Sequence, residues 1–170
     1  TTPTDPTPNP INGGQVSPGD DYTPSSPGSM SYEFADGSMR LVSSGMTSNA
    51  GGDVIHGPYI ISDNSVSLSV GDTVTFNWKA ANGADAFDVY AYLLNTADGS
   101  TIELLDETAD GSTDWAPAEV TVTAAGDYKF VFVSGTFDYT FGRALGASLY
   151  IDDIDVETAN GPEVVVEYIN

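Results

Sequence analysis

The side chains with the greatest capacity for chemistry in this 170-residue chain are its 25 carboxylates, and their placement says more than their number. Many stand at turns or strand ends: Asp85 and Asp88, Asp106 and Glu107, Asp110 and Asp114, Asp138, and the run Asp152-Asp153-x-Asp155. Calcium takes six to eight oxygens at about 2.3–2.6 Å from carboxylates, main-chain carbonyls and amide side chains. Loops rich in Asp, Gly, Asn, Ser and Thr offer that chemistry. No EF-hand loop and no G-G-x-G-x-D calcium repeat occurs, so such sites would be irregular and drawn from separate loops. The plain alternative is a solvated acidic surface that only aids solubility.

Two stretches sharpen the calcium reading. In Leu149-Tyr-Ile151-Asp-Asp-Ile154-Asp-Val156 the apolar parity shifts from odd to even positions, which requires a bulge or bend at Asp152–Asp153. A bulge would re-aim one carboxylate to the side of the sheet, where it could hold a structural ion. The second stretch runs from Ser134 to Ser148, joining two strong strands by about a dozen residues, longer than most hairpin loops. It carries Phe137, Tyr139 and Phe141, with Asp138 and Arg143. Aromatic faces and an arginine beside a calcium could bind a ligand carboxylate or a sugar ring. Alternatively, Arg143 pairs with a neighbouring Asp and the aromatics cap the core.

Catalysis finds little footing. The single histidine, His56, lies in Ile55-His56-Gly57-Pro58, which reads as a strand end, and no G-x-S-x-G elbow accompanies it. With so many acids, carboxylate pairs for glycoside hydrolysis are unavoidable and carry no signal. No Walker loop, dinucleotide fingerprint or H-E-x-x-H occurs. The absence of cysteine excludes disulfides, thiolate metal sites and cysteine nucleophiles. The expectation is a protein that is not an enzyme. Against the acids stand only Arg40, Lys79, Lys129 and Arg143, for a net charge of -21, which argues against nucleic acid or an anionic membrane as partner. No apolar run is long enough to span a membrane, and no secretion signal of the basic-then-apolar type opens the residues given.

The elements that would position these groups are short strands. Alternation marks Ser65–Val70, Thr73–Trp78, Val120–Thr123 and Tyr128–Val133, with turns at Val70-Gly71-Asp72 and Ala125-Gly126-Asp127. Val66, Leu68 and Val70 share one face of the first, and Val74, Phe76 and Trp78 one face of the second. Phe87–Leu94 is evenly apolar, as for a strand buried on both sides. Asp-Gly steps at 36–37, 98–99 and 110–111 supply further turns. The pattern predicts an all-β, antiparallel, jelly-roll-like β-sandwich with long ligand loops. Seven of the ten prolines fall in the first 27 residues, so residues 1–30 read as a Pro-rich linker, the alternative being an edge strand at Ile11–Val16. The sandwich then occupies 31–157, and 158–170 is a terminal strand or the start of a next module.

Tyr32-Glu33-Phe34 near the first strand and Leu149-Tyr-Ile-Asp-Asp-Ile154 in the last resemble the bookends of calcium-containing jelly-roll domains of the galactose-binding and carbohydrate-binding-module type. The segments SVSLSVGDTVTFNWKA, DAFDVYAYLLN, LLDETADGSTDW, DYKFVFVSGTFD and GRALGASLYIDDI together resemble the peptide-binding domain of large bacterial RTX adhesins, over about residues 31–157. The first resemblance implies a structural calcium near Glu33 and Asp152 or Asp153. The second implies calcium-dependent capture of the free C-terminal carboxylate of peptides on host or partner-cell surface proteins. It places the ligand site on Ser134, Gly135, Thr136, Phe137, Asp138, Tyr139, Gly142, Arg143 and Ala144, with Asp138, then Asp85 and Asp88, as candidates for the ligand-binding calcium. It also implies an extracellular, cell-surface setting, as a monomeric module of a multidomain adhesin active in biofilm formation. Two alternatives stay open: a carbohydrate-binding module in which Tyr139, Phe137 or Trp115 stacks on a sugar, and a calcium-stiffened spacer.

Overall fold

From Val74 to Ala80 every second side chain is buried and the residues between are half-exposed, because β-branched and aromatic residues at period two can bury only one face of a pleated strand. The computed structural model describes residues 24–26, 29–35, 38–45, 47–48, 54–83, 85–138, 146–159 and 164–165. Among these there is no helix, hence none long and apolar enough to cross a membrane. The strands are β1 (Pro24–Ser26), β2 (Ser29–Ala35), β3 (Ser38–Ser44), β4 (Thr47–Ser48), β5 (Val54–Ile61), β6 (Val66–Leu68) and β7 (Thr73–Asn82). They continue as β8 (Ala86–Asn95), β9 (Thr101–Ala109), β10 (Ala116–Thr121), β11 (Gly126–Phe137), β12 (Ala147–Glu157) and β13 (Val164–Val165).

Two antiparallel sheets form a jelly-roll-like sandwich. One runs β10-β7-β12-β3-β2 with β13 on β12; the other runs β5-β11-β8-β9 with β6 on β11. β1 and β4 pair separately. Leu41, Val74, Phe76, Leu149 and Ile151 face Phe87, Val89, Leu93, Phe130 and Phe132 across the core. The edge-on contact of Phe76 with Phe132, centroids 5.6 Å apart, joins the sheets. Each such side chain contributes about 1.5–3 kcal/mol by leaving water. As its mostly apolar run implies, β8 is buried on both faces over most of its length. Its outer side belongs to a smaller cluster of Tyr92 with Val131 and Val133.

The parity shift in β12 is realised as a bulge. Asp152 opposes Asn77 and Asp155 opposes Thr75, so β12 spends one residue more than β7, and Asp153 takes a φ of 49°. Ile154 and Val156 thereby return to the core. Val70 departs from its expected face: β6 ends at Leu68, and Val70 is 63% exposed in the turn that follows. Among the described residues strand pairing is present from Pro24, inside the segment read as linker, while Ile11–Val16 and the Asp-Gly step at 36–37 lie outside the described residues. Val164 and Val165 pair with Val156 and Asp155, giving the last apolar run a partner.

Candidate functional site

The outer face of the β10-β7-β12-β3-β2 sheet carries a row of large side chains at right angles to the strands. Burying Trp78 and Ala80 turns Lys79 outward, and burying Leu149 and Ile151 does the same for Tyr150. Register aligns them: Glu33 opposes Arg40, Arg40 opposes Tyr150, and Tyr150 opposes Lys79. Trp115 extends the row just before β10. The main chain and hydroxyl of Thr113 exchange hydrogen bonds with Ala80 (2.8 and 2.9 Å), fixing the approach to Trp115 beside β7.

The groups of the row interlock. Arg40 Nη1 donates to Glu33 Oε1 at 3.1 Å, and its guanidinium carbon lies 5.3 Å from the Tyr150 ring centroid. Lys79 Nζ sits 4.5 Å from the Tyr150 centroid and 5.0 Å from that of Trp115. The two rings meet edge to face with centroids 6.4 Å apart. Together with Ser38 and Asp152 they line an open groove of about 400 Å³. Trp115 is 44% exposed, one of two large apolar side chains so open among the described residues. Such a surface offers stacking faces, hydrogen-bond donors and acceptors of both charges.

A second polar region closes one end of the sandwich. The predicted ligand loop is shorter than expected, because Ser134, Gly135, Thr136 and Phe137 continue β11 opposite β8. Small hydroxyl residues there read as loop, yet Ser134 and Thr136 are fully buried on the core-facing side of the strand. Thr136 Oγ1 donates to the Ala86 carbonyl at 3.1 Å. Among the described residues Ser134 Oγ has no hydrogen-bond partner. β11 and β8 pair as far as Phe137 and Ala86, so Asp138 and Asp85 are the next residues on the two strands, 1% and 3% exposed. Asp85 Oδ1 accepts from the Ala86 N–H. Asp88 lies on the other face of β8, where Thr108 Oγ1 donates to it at 2.7 Å. Tyr139, Gly142, Arg143 and Ala144 lie outside the described residues.

The candidate acids are therefore sorted by geometry. Glu33 and Asp152 line one groove, while Asp153 is exposed and accepts from Asn77 Nδ2 at 3.0 Å. Asp85 and Asp138 share an end; Asp88 does not join them. Among the described residues no three acidic or histidine side chains converge to hold a metal. Sequence reasoning picked out Trp115 but missed Arg40, Lys79 and Tyr150 as a group. Their outward parity was readable; their alignment rests on pairings of distant strands.

No family model matches the chain, and no curated protein sequence does. Among solved structures the chain is similar to a family 29 carbohydrate-binding module, at 16% identity over 75% of this chain and 72% of that one, TM-score 0.45. It is also similar to a mutant of such a module complexed with mannohexaose (17% identity, 75% and 74% covered, TM-score 0.44). A mutant complexed with cellulohexaose gives 15% identity, 75% and 74% covered, and a TM-score of 0.43.

Proposed function

We propose that this chain is a non-catalytic carbohydrate-binding module that seats a glycan across its sheet on Trp115 and Tyr150. The observation that carries the reading is the half-exposed Trp115 standing edge to face with Tyr150, in a groove otherwise lined by polar and charged side chains. Pyranose rings present apolar C–H faces and a rim of hydroxyls, matching aromatic platforms flanked by Arg, Lys, Asp and Glu. A glycan array followed by calorimetry tests it. Trp115→Ala should abolish binding while leaving the melting temperature within a few degrees. Undiminished binding in that variant would remove the groove from the function.

A second reading is favoured by the acid end. Asp85 and Asp138 are buried at neighbouring strand ends, where their carboxylate oxygens could contribute to a calcium site. Calcium there would attract an anionic peptide end to a chain of net charge -21. In this reading the domain is the extracellular, surface-displayed adhesion module of an RTX-type protein and captures C-terminal carboxylates at Asp138, Asp85 and the residues that follow. Calorimetry with free and amidated peptide C-termini, in calcium and in EGTA, decides it. Binding of the amidated peptide, or binding in EGTA, would end this reading.

A further inference from the structure

We infer that the groove selects acidic sugars, carboxylated pyranoses of the uronate type, over neutral ones; this rests on the carbohydrate reading above. The chain has four Lys and Arg side chains against 25 acids, yet two of the four flank Tyr150 on adjacent strands. Arg40 spends one donor on Glu33 and keeps others of its five. Lys79 forms no ion pair among the described residues; its ammonium faces Trp115 and Tyr150 instead.

That position has a consequence for any ring laid on the platform. A sugar covering Tyr150 and Trp115 takes the Lys79 ammonium and part of the Arg40 guanidinium out of water. Desolvating a cation is costly unless an anion or several acceptors replace the lost hydration. A neutral hydroxyl replaces it in part, whereas a carboxylate makes charge-assisted bonds of about twice the strength. Glu33 is already matched by Arg40. Asp152 lies two residues along β12 from Tyr150, about 7 Å away, so it repels a carboxylate at its own end and directs it toward Arg40 and Lys79. The groove thus has a cationic centre within a strongly anionic molecule.

The test uses oligomers of galacturonate and of glucuronate and the same oligomers with their carboxylates reduced to alcohols, titrated into the full chain. One charge-assisted hydrogen bond predicts that an acidic oligomer binds about tenfold tighter than its reduced form. Lys79→Gln should erase that margin, so that acidic and reduced oligomers bind the variant alike, and added salt should weaken only the acidic ligand in the parent. Equal affinity for acidic and reduced oligomers would overturn the inference and leave a neutral-glycan module standing. Binding of neither form by the folded domain would overturn both readings of the groove. Displacement of the uronate by a free peptide C-terminus with the same Lys79 dependence would reassign the groove to peptide ends and also overturn the inference.

Discussion

Asn77 Nδ2 donates a 3.0 Å hydrogen bond to Asp153 Oδ2, joining β7 to the bulged residue of β12. Asp153 sits at a φ of 49°, in the left-handed region that Asp tolerates through local hydrogen bonds and β-branched residues resist. Its N–H donates to Asp152 Oδ1 at 2.8 Å, so the adjacent acids shape the bulge between them. Asp153→Val should destabilise the domain by about 1–3 kcal/mol, whereas Asp153→Gly should stay within about 0.5 kcal/mol of the parent. Urea unfolding of both variants checks this. A tolerated valine would mean that the bulge is held by something other than this residue's backbone.

The beginning of β12 depends on a glycine for a different reason. Gly146 has a φ of 108°, and a Cβ there would lie 2.1 Å from the Ser43 carbonyl oxygen. The same Ser43 holds the next residue, accepting from Ala147 N–H at 3.0 Å through its hydroxyl. The Ser43 carbonyl is main chain of β3, so no side-chain rotation can relieve that clash. Gly146→Ala should cost more than about 2 kcal/mol, and Ser43→Ala about 1–2 kcal/mol for one buried hydrogen bond. Thermal unfolding in which the two costs were reversed would contradict this packing.

At the β8–β9 turn, Ser100 donates to Asp98 Oδ1 from its hydroxyl (2.7 Å) and from its N–H (2.9 Å). The hydroxyl, then the amide, holds the Asp98 carboxyl below the ordinary aspartate value. A depressed folded value means that the turn's contribution to stability is present above the unfolded pKa and is lost as pH falls through the lower folded one. A pH titration by NMR should place Asp98 below the usual aspartate midpoint of about 3.9, and Ser100→Ala should bring it only part of the way back, because the amide bond remains. An unshifted midpoint in the parent would show that these bonds do not form in solution.

How much of this was legible in the sequence divides by the range of the interaction. Alternation from Val74 to Trp78 identified the buried face of β7, and the parity shift between Ile151 and Ile154 located the bulge, because both are properties of a single strand. Ser134-Gly-Thr136 read as loop because small polar residues are common in turns; inside the sandwich their hydroxyls are buried at the end of a continuous strand. Arg40, Lys79 and Tyr150 showed outward parity within their own strands but no local sign that they stand together. They become neighbours only through β3, β12 and β7, whose pairing in this order no short window of residues encodes.

The two tryptophans divide cleanly between core and groove, which gives the proposed site its own spectroscopic reporter. Trp78 is 8% exposed and packed inside the sandwich, whereas Trp115 is 44% exposed beside Lys79. Acrylamide should therefore quench one emitting population readily and leave the other nearly untouched. Trp115→Phe should leave only a blue-shifted, quencher-resistant emission. A saturating glycan laid across Tyr150 must cover Trp115, since the two centroids are 6.4 Å apart. Protection of Trp115 in proportion to bound ligand is the expected result. Glycan binding without any protection would move the site away from this sheet face, toward the end of the sandwich where Asp85 and Asp138 meet.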